Sequence, residues 1–225
     1  MIKKIEVMNI ELDNYSTREA MLLVETFLNN TVLNVIEEVS MRLLVDAKED
    51  GELQESIRSF DLAIPGDREI LVEAGYDNSP QINDVDNDNF FHEFAKRVIR
   101  NKKSVFLLGQ TEEDVEKLQE YLKGDYERMN IIGMSYLDKY QDDLGIINEI
   151  NIAAPDVILS VIPSPGQERF IAEQKQRLHA KLWYGMNAKY LTRKSGNKVA
   201  LFAKTLVGRM LFKRGLSDYN NTEEE

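Results

Sequence analysis

Along this chain, short apolar runs rich in β-branched residues alternate with longer stretches whose apolar positions recur every three or four residues. KKIEVMNI, VLNVIEEV, FDLAIP, KSVFLLG, MNIIGMSY, DVILSVI and AKLWYGM read as strands. Between them STREAMLLVETFLNN, Met41 through Lys48, GDREILVEAG, FFHEFAKRVIRN, EEDVEKLQEYLKG, DDLGIINEINIAA and QERFIAEQKQRL read as helices or helical turns, and KVALFAKTLVGRMLFKR as a last helix. Ser16 followed by Glu19 is a capping-box signature, and Gly124 marks the expected end of the EEDVEKLQEYLKG helix. The Asn/Asp-rich stretch YDNSPQINDVDNDN, 76–89, reads as a loop. Short strands separated by helices require right-handed crossovers, so the fold class is α/β, with a mainly parallel sheet flanked by helices. VFLLG and VILSVI lack alternation, as strands covered on both faces should. The expected organisation is an α/β core domain over 1–197, a basic amphipathic helix over 198–217 and a disordered acidic tail over 218–225.

Composition narrows the chemistry. The 225 residues include no cysteine and only two histidines, His92 and His179, which argues against disulfides, thiolate metal sites and a histidine-rich metal centre. No run of about 18 apolar residues occurs, and the first residues lack a signal-peptide pattern, so the chain reads as cytoplasmic. The net charge of −11 conceals an asymmetry. From Gln174 to Ser217 there are eleven Lys and Arg and no acid, whereas 1–173 holds seventeen basic and thirty-five acidic residues. Such a segment meets phosphate or an anionic membrane, or pairs with the acidic body of its own chain. On the last helix Val199, Ala203, Leu206, Val207 and Met210 form one apolar stripe. Leu201, Phe202 and Phe212 lie opposite, among Lys198, Arg209 and Lys213. Two apolar sides with cations between them suit burial against protein, an oligomer contact or peripheral attachment to a membrane.

Open α/β sheets bind ligands outside the carboxyl ends of their strands. The loops to inspect are therefore 64–69, 108–114, 133–140, 162–168 and 184–190, in which Gly109, Tyr136, Pro165 and Gly185 are candidate substrate-binding positions. In VILSVIPSPGQERF an apolar strand stops at a stiff Pro-Ser-Pro-Gly turn, followed by Gln167 and Glu168. Such a turn either aims those groups into a site or simply joins a strand to a helix, with Glu168 stabilised in the first helical turn. Neither GxGxxG nor GxxxxGK[ST] is present.

The segment PDVILSVIPSPGQERFIAEQKQRLHAKLWYG, 155–185, resembles the signature of the TagA/CpsF/WecG family of bacterial glycosyltransferases. KSVFLLGQTEEDVEKLQEYL, GMSYLD, IINEIN and IEVMNIELDNYSTREAM fit the same family in order, so the resemblance covers nearly the whole chain. It implies a Rossmann-like fold and a UDP-N-acetylhexosamine donor. The implied acceptor is an amino sugar on a polyprenyl diphosphate at the inner face of the cytoplasmic membrane, in cell-envelope polysaccharide or teichoic-acid synthesis. No cofactor, no metal and no nucleic acid is expected; for the metal, the reason is the lack of a clear Asp-x-Asp.

The resemblance also implies the residues. Gln167 and Glu168 stand in register as catalytic residues, and Asp67 is the candidate base, in Pro65-Gly66-Asp67 where the family has Pro-Asp-Gly. The family's Thr-x-Asn-Pro element becomes Glu38, Ser40 and Met41, which makes Glu38 and Ser40 candidate substrate contacts. The family's arginine before the VFLLG strand is missing from PQINDVDNDNFF, and its Phe-Asp becomes Tyr190-Leu191. Lys189, Arg193, Arg209, Lys213 and Arg214 are candidates for phosphate or membrane contact. Two readings follow: a transferase with an altered substrate, or a degenerate relative that binds sugar nucleotide or partners an intact glycosyltransferase, as a homo-oligomer or a hetero-complex.

Overall fold

The computed structural model describes residues 4–187 and 189–192. The expected helix 198–217, the acidic tail, and the candidates Arg193, Arg209, Lys213 and Arg214 lie outside the described residues.

The chain opens with β1 (Lys4–Val7) and β2 (Ile10–Asp13), an antiparallel pair. KKIEVMNI is therefore not one strand. Met8 and Asn9 take φ 52° and 59°, the left-handed backbone that a two-residue hairpin turn demands. Then follow α1 (Thr17–Phe27), β3 (Asn34–Val39), α2 (Met41–Ala47), α3 (Gly51–Arg58), β4 (Leu62–Pro65), α4 (Arg68–Glu73), α5 (Pro80–Asp86) and α6 (Asn89–Arg100). The second half is β5 (Ser104–Gly109), α7 (Glu112–Asp125), β6 (Asn130–Tyr136), α8 (Asp143–Ala153), β7 (Val157–Ser160), α9 (Gly166–Gln174), β8 (Leu182–Gly185) and α10 (Lys189–Thr192).

Local chemistry explains most of these elements. The capping box at α1 forms, with Glu19 accepting the Ser16 N–H at 3.0 Å. The 76–89 stretch is not all loop: Pro80 opens α5, where its missing N–H costs nothing, and Ile82 buries the helix. Between α2 and β4 the sequence also hides α3, which buries only Leu53 and Ile57 and is started by Asp50 accepting the Leu53 N–H at 3.0 Å. Gly124 does not end α7, which continues to Asp125.

β4-β3-β8-β7-β5-β6 form one six-stranded sheet, parallel at every pairing. The α/β fold expected from the sequence is the one observed. Crossovers that move along the sheet toward β4 (through α2–α3, α8 and α9) pack on one face, and those that move toward β6 (through α6 and α7) reach the other. That sorting is what a single crossover hand produces. β3, β4, β7 and β8 are buried along their whole length. No helix among the described residues is long and apolar enough to cross a membrane.

Trp183 is fully buried on β8 and stacks on Phe170 of α9 with centroids 5.8 Å apart. Trp183→Ala is expected to lower unfolding free energy by about 3–5 kcal/mol in urea titration. Trp183→Phe should cost less, because the indole N–H has no partner among the described residues.

Candidate active site

The connection leaving β3 runs to the α2–α9 face, whereas that leaving β8 runs to α10 on the opposite face. A crevice therefore opens between the carboxyl ends of β3 and β8, the kind of place where open α/β sheets bind ligands. Glu37 and Glu38 end β3 there, 1% and 5% exposed. Successive strand side chains point to opposite faces, so each of these carboxyls serves one side of the sheet.

Glu38 faces α10. It accepts hydrogen bonds from the Tyr184 hydroxyl at 2.5 Å, the Tyr190 hydroxyl at 2.9 Å and the Asn187 N–H at 3.4 Å. The residue expected as a substrate contact thus also anchors the β8–α10 loop. Tyr190→Phe keeps the ring packing and deletes one donor, and is expected to cost about 1 kcal/mol in urea unfolding.

Asp67 follows β4 and is half-buried. Its carboxylate turns away from its own helix and accepts the Met41 N–H of α2 at 2.8 Å and the Asn187 side-chain N–H at 3.4 Å. Burial raises its pKa; the Met41 N–H and the nearby Lys189 oppose that, Glu69 adds to it and Asn187 opposes it. A carboxyl tuned upward in this way suits proton abstraction near neutral pH. Gly66 has to be glycine here. A Cβ would sit 2.9 Å from the Val39 carbonyl oxygen and 3.0 Å from the Asn187 amide. Lys189 ties the rim together, donating to the Gly66 carbonyl at 2.9 Å and pairing with Asp88 at 3.0 Å.

Beside this rim lies a cavity of about 40 Å³, bounded by Asp13, Glu38, Gly66, Asp84, Asp88 and Lys189, with Phe90 and Tyr190 as aromatic wall. That volume holds a few waters, not a sugar ring. Asp84-Val85-Asp86-Asn87-Asp88 does contain Asp-x-Asp spacing, within the stretch read as loop. Each carboxylate has a partner inside the protein: Thr17 and Asn89 for Asp84, Arg68 for Asp86, Lys189 for Asp88. Among the described residues no group of three His, Asp or Glu converges as a metal would require.

Gln167 and Glu168 occupy the first turn of α9 on the other side of β3, 1% and 0% exposed. The Gln167 amide donates to Glu37 Oε1 at 2.7 Å, and Glu168 Oε1 accepts the Ser164 hydroxyl at 2.7 Å. The turn after Ile162 therefore does not aim Gln167 into a rim cavity; it holds the amide inside packed protein. The reason is Glu37, a buried acceptor that needs a donor. Burial raises the Glu37 carboxyl well above the ordinary range and Glu168 adds to this, while the Gln167 hydrogen bond opposes it. Burial likewise raises Glu168, against the Ser164 hydrogen bond.

The remaining candidates divide. Gly185 lies directly under the Glu37 carboxyl. Pro165 follows a cis peptide bond and precedes α9. Ser40 caps α2 by accepting the Leu43 N–H at 3.1 Å. Gly109 is closed over by α7, where a Cβ would meet Val115 at 2.8 Å. Tyr136 ends β6, at the opposite edge of the sheet from β4. The structure thus gathers Glu38, Asp67 and Lys189 on one side of β3, and Gln167, Glu168 and Gly185 on the other. Gly109 and Tyr136 stand apart. Glu37, Asn187 and Asp88 escaped the sequence reading, although two adjacent glutamates closing the apolar strand VIEEV were a visible sign of buried carboxyls.

No curated protein matches the chain significantly. A family model does match, over residues 5–192, which takes in both sheets and every site element described above. The chain belongs to the glycosyl transferase WecG/TagA/CpsF family.

Proposed function

We propose that this member transfers an N-acetylhexosamine from a UDP-sugar to an amino sugar carried on a polyprenyl diphosphate, in cell-envelope polysaccharide synthesis. The observation that carries this reading is Asp67. Its carboxyl is raised by burial, sits after a parallel strand at the carboxyl rim, and is held by the α2 N-terminus beside Gly66. In the reaction the acceptor hydroxyl gives its proton to Asp67 as its oxygen bonds the sugar anomeric carbon, and the bond from that carbon to UDP breaks. Lys189, the cation lining the cavity among the described residues, supports charge on the departing diphosphate. Lys175, Lys181 and Lys189 pair with Asp61, Asp156 and Asp88, and the other cations between Gln174 and Ser217 favour peripheral attachment to the inner face of an anionic membrane, where such an acceptor resides. Flotation with anionic liposomes checks this; the expected result is co-flotation that falls with added salt.

The test of the transfer is release of UDP from UDP-N-acetylhexosamines with a short-chain lipid diphosphate amino sugar. Acceptor-dependent release is expected, and its absence would refute the transfer.

A second reading has its own support. The Gln167 amide is engaged by Glu37, the cavity is small, and its charged lining sets Asp13, Glu38, Asp84 and Asp88 against Lys189, which opposes a diphosphate. These features fit a member that has lost transfer and serves an intact glycosyltransferase as a partner. Nucleotide binding without UDP release in the same assay selects it.

A further inference from the structure

Buried acceptor oxygens without partners stand at the end of β3 and in the first turn of α9. Glu37 Oε2, Gln167 Oε1 and Glu168 Oε2 are buried, and none has a hydrogen-bond partner among the described residues. Buried polar atoms are rarely left that way, and here all three need a donor. The groups facing Glu37 offer no cation. Gln167 and Glu168 come from α9; Glu38 and Tyr184, on the other face of the sheet, and Asp46 of α2, which acts on Glu168, bring no positive charge. Two ionised carboxylates in this setting would repel without relief. A proton on Glu37 Oε2 removes the repulsion and turns that oxygen into a donor suited to Gln167 Oε1, whose own amide already donates to Glu37 Oε1. Gly185 completes the fit: a Cβ there would lie 1.8 Å from Glu37 Oε2, so the carboxyl fills the space a side chain would take.

We propose that Glu37 is a positioning residue that carries a proton and, in that form, latches Gln167 and the 163–168 turn shut; when the proton leaves for solvent, the turn loosens and Gln167 is freed toward the rim. The latch stands on the buried Glu37–Gln167 contact, the partnerless oxygens beside it and the space that Gly185 leaves. Its consequence for transfer rests on the reading of Gln167 as a group that contacts substrate. Burial first, and Glu168 second, raise the Glu37 carboxyl. A carboxyl held above its ordinary value stabilises the folded arrangement at acid pH, and that contribution is lost as pH rises through the raised value.

Hydrogen exchange of the full chain from pH 5.5 to 9, corrected for intrinsic rates, reads the latch at the amides of residues 166–170. In the native protein protection is expected to fall about tenfold or more as pH rises, tenfold being one pKa unit's worth. Glu37→Gln keeps the shape, cannot ionise and should hold protection nearly level. Glu168→Gln, which removes a charge that raises Glu37, should move the fall to lower pH. A level profile in the native protein, or the same fall in both variants, would overturn the latch. Calorimetry with UDP at the two pH extremes separates the two ideas. UDP binding that strengthens as protection falls supports the latch as a control on the site. Falling protection without UDP binding at either pH supports the latch and removes the donor-site reading.

Discussion

Gly185→Ala is expected to destabilise the fold by roughly 2–5 kcal/mol, measured as a lowered urea midpoint with the slope unchanged. The added methyl would fall 1.8 Å from Glu37 Oε2, 2.4 Å from Cδ and 2.6 Å from Oε1. Gly185 pairs in register with Glu37, so the two cannot slide past one another without breaking the β3–β8 ladder. Two responses are open. Glu37 swings away, abandoning the 2.7 Å bond from Gln167 and leaving a buried amide unpaired, or β8 moves off β3 and disturbs the central sheet. A double-mutant cycle distinguishes this from a general intolerance of alanine. Glu37→Ala removes the colliding carboxyl, so the Gly185→Ala penalty should shrink by about 1–3 kcal/mol in its presence. Strict additivity would show that the collision does not set the cost.

Asp67→Asn is expected to reduce transfer by about 10²–10⁴-fold, the usual contribution of a positioned base. The fold should survive, because the asparagine carbonyl can still accept the Met41 N–H. Affinity for UDP should change little, since Asp67 acts on the acceptor. The pH dependence carries the sharper signature. A base must be ionised, so the native rate should rise with pH, with its inflection above the ordinary carboxylate range because burial raises Asp67. Lys189→Met removes a cation that favours the ionised form, and should move that inflection further up. An unshifted inflection would place the base elsewhere.

The sheet was legible because its strands are locally consistent. VFLLG and VILSVI could be buried strands wherever they stood, and turn chemistry marked most of their ends. Elements held by tertiary contact were not legible. α5 is written in Asn and Asp and forms because Pro80 starts it and Ile82 has a core to enter. The β1–β2 hairpin turns on Met8-Asn9, which carries no glycine to announce it. Strand order, too, lies beyond periodicity, since β3 meets β8 across 142 intervening positions of chain. Within the site, Asp67 and Glu38 were found through the family resemblance, and each stands at or just after a strand end. The surroundings of Gln167 could not be found, because its orientation is decided by Glu37, far away in sequence and read there as one more residue of a buried strand.

The most direct test of the rim as a sugar-nucleotide site is calorimetric titration of the full chain with UDP and with a UDP-N-acetylhexosamine, native and Asp67→Asn in parallel. Saturable heat in both proteins, accompanied by acceptor-dependent UDP release in the native one alone, is the expected result. No heat from either ligand at millimolar concentration would contradict it.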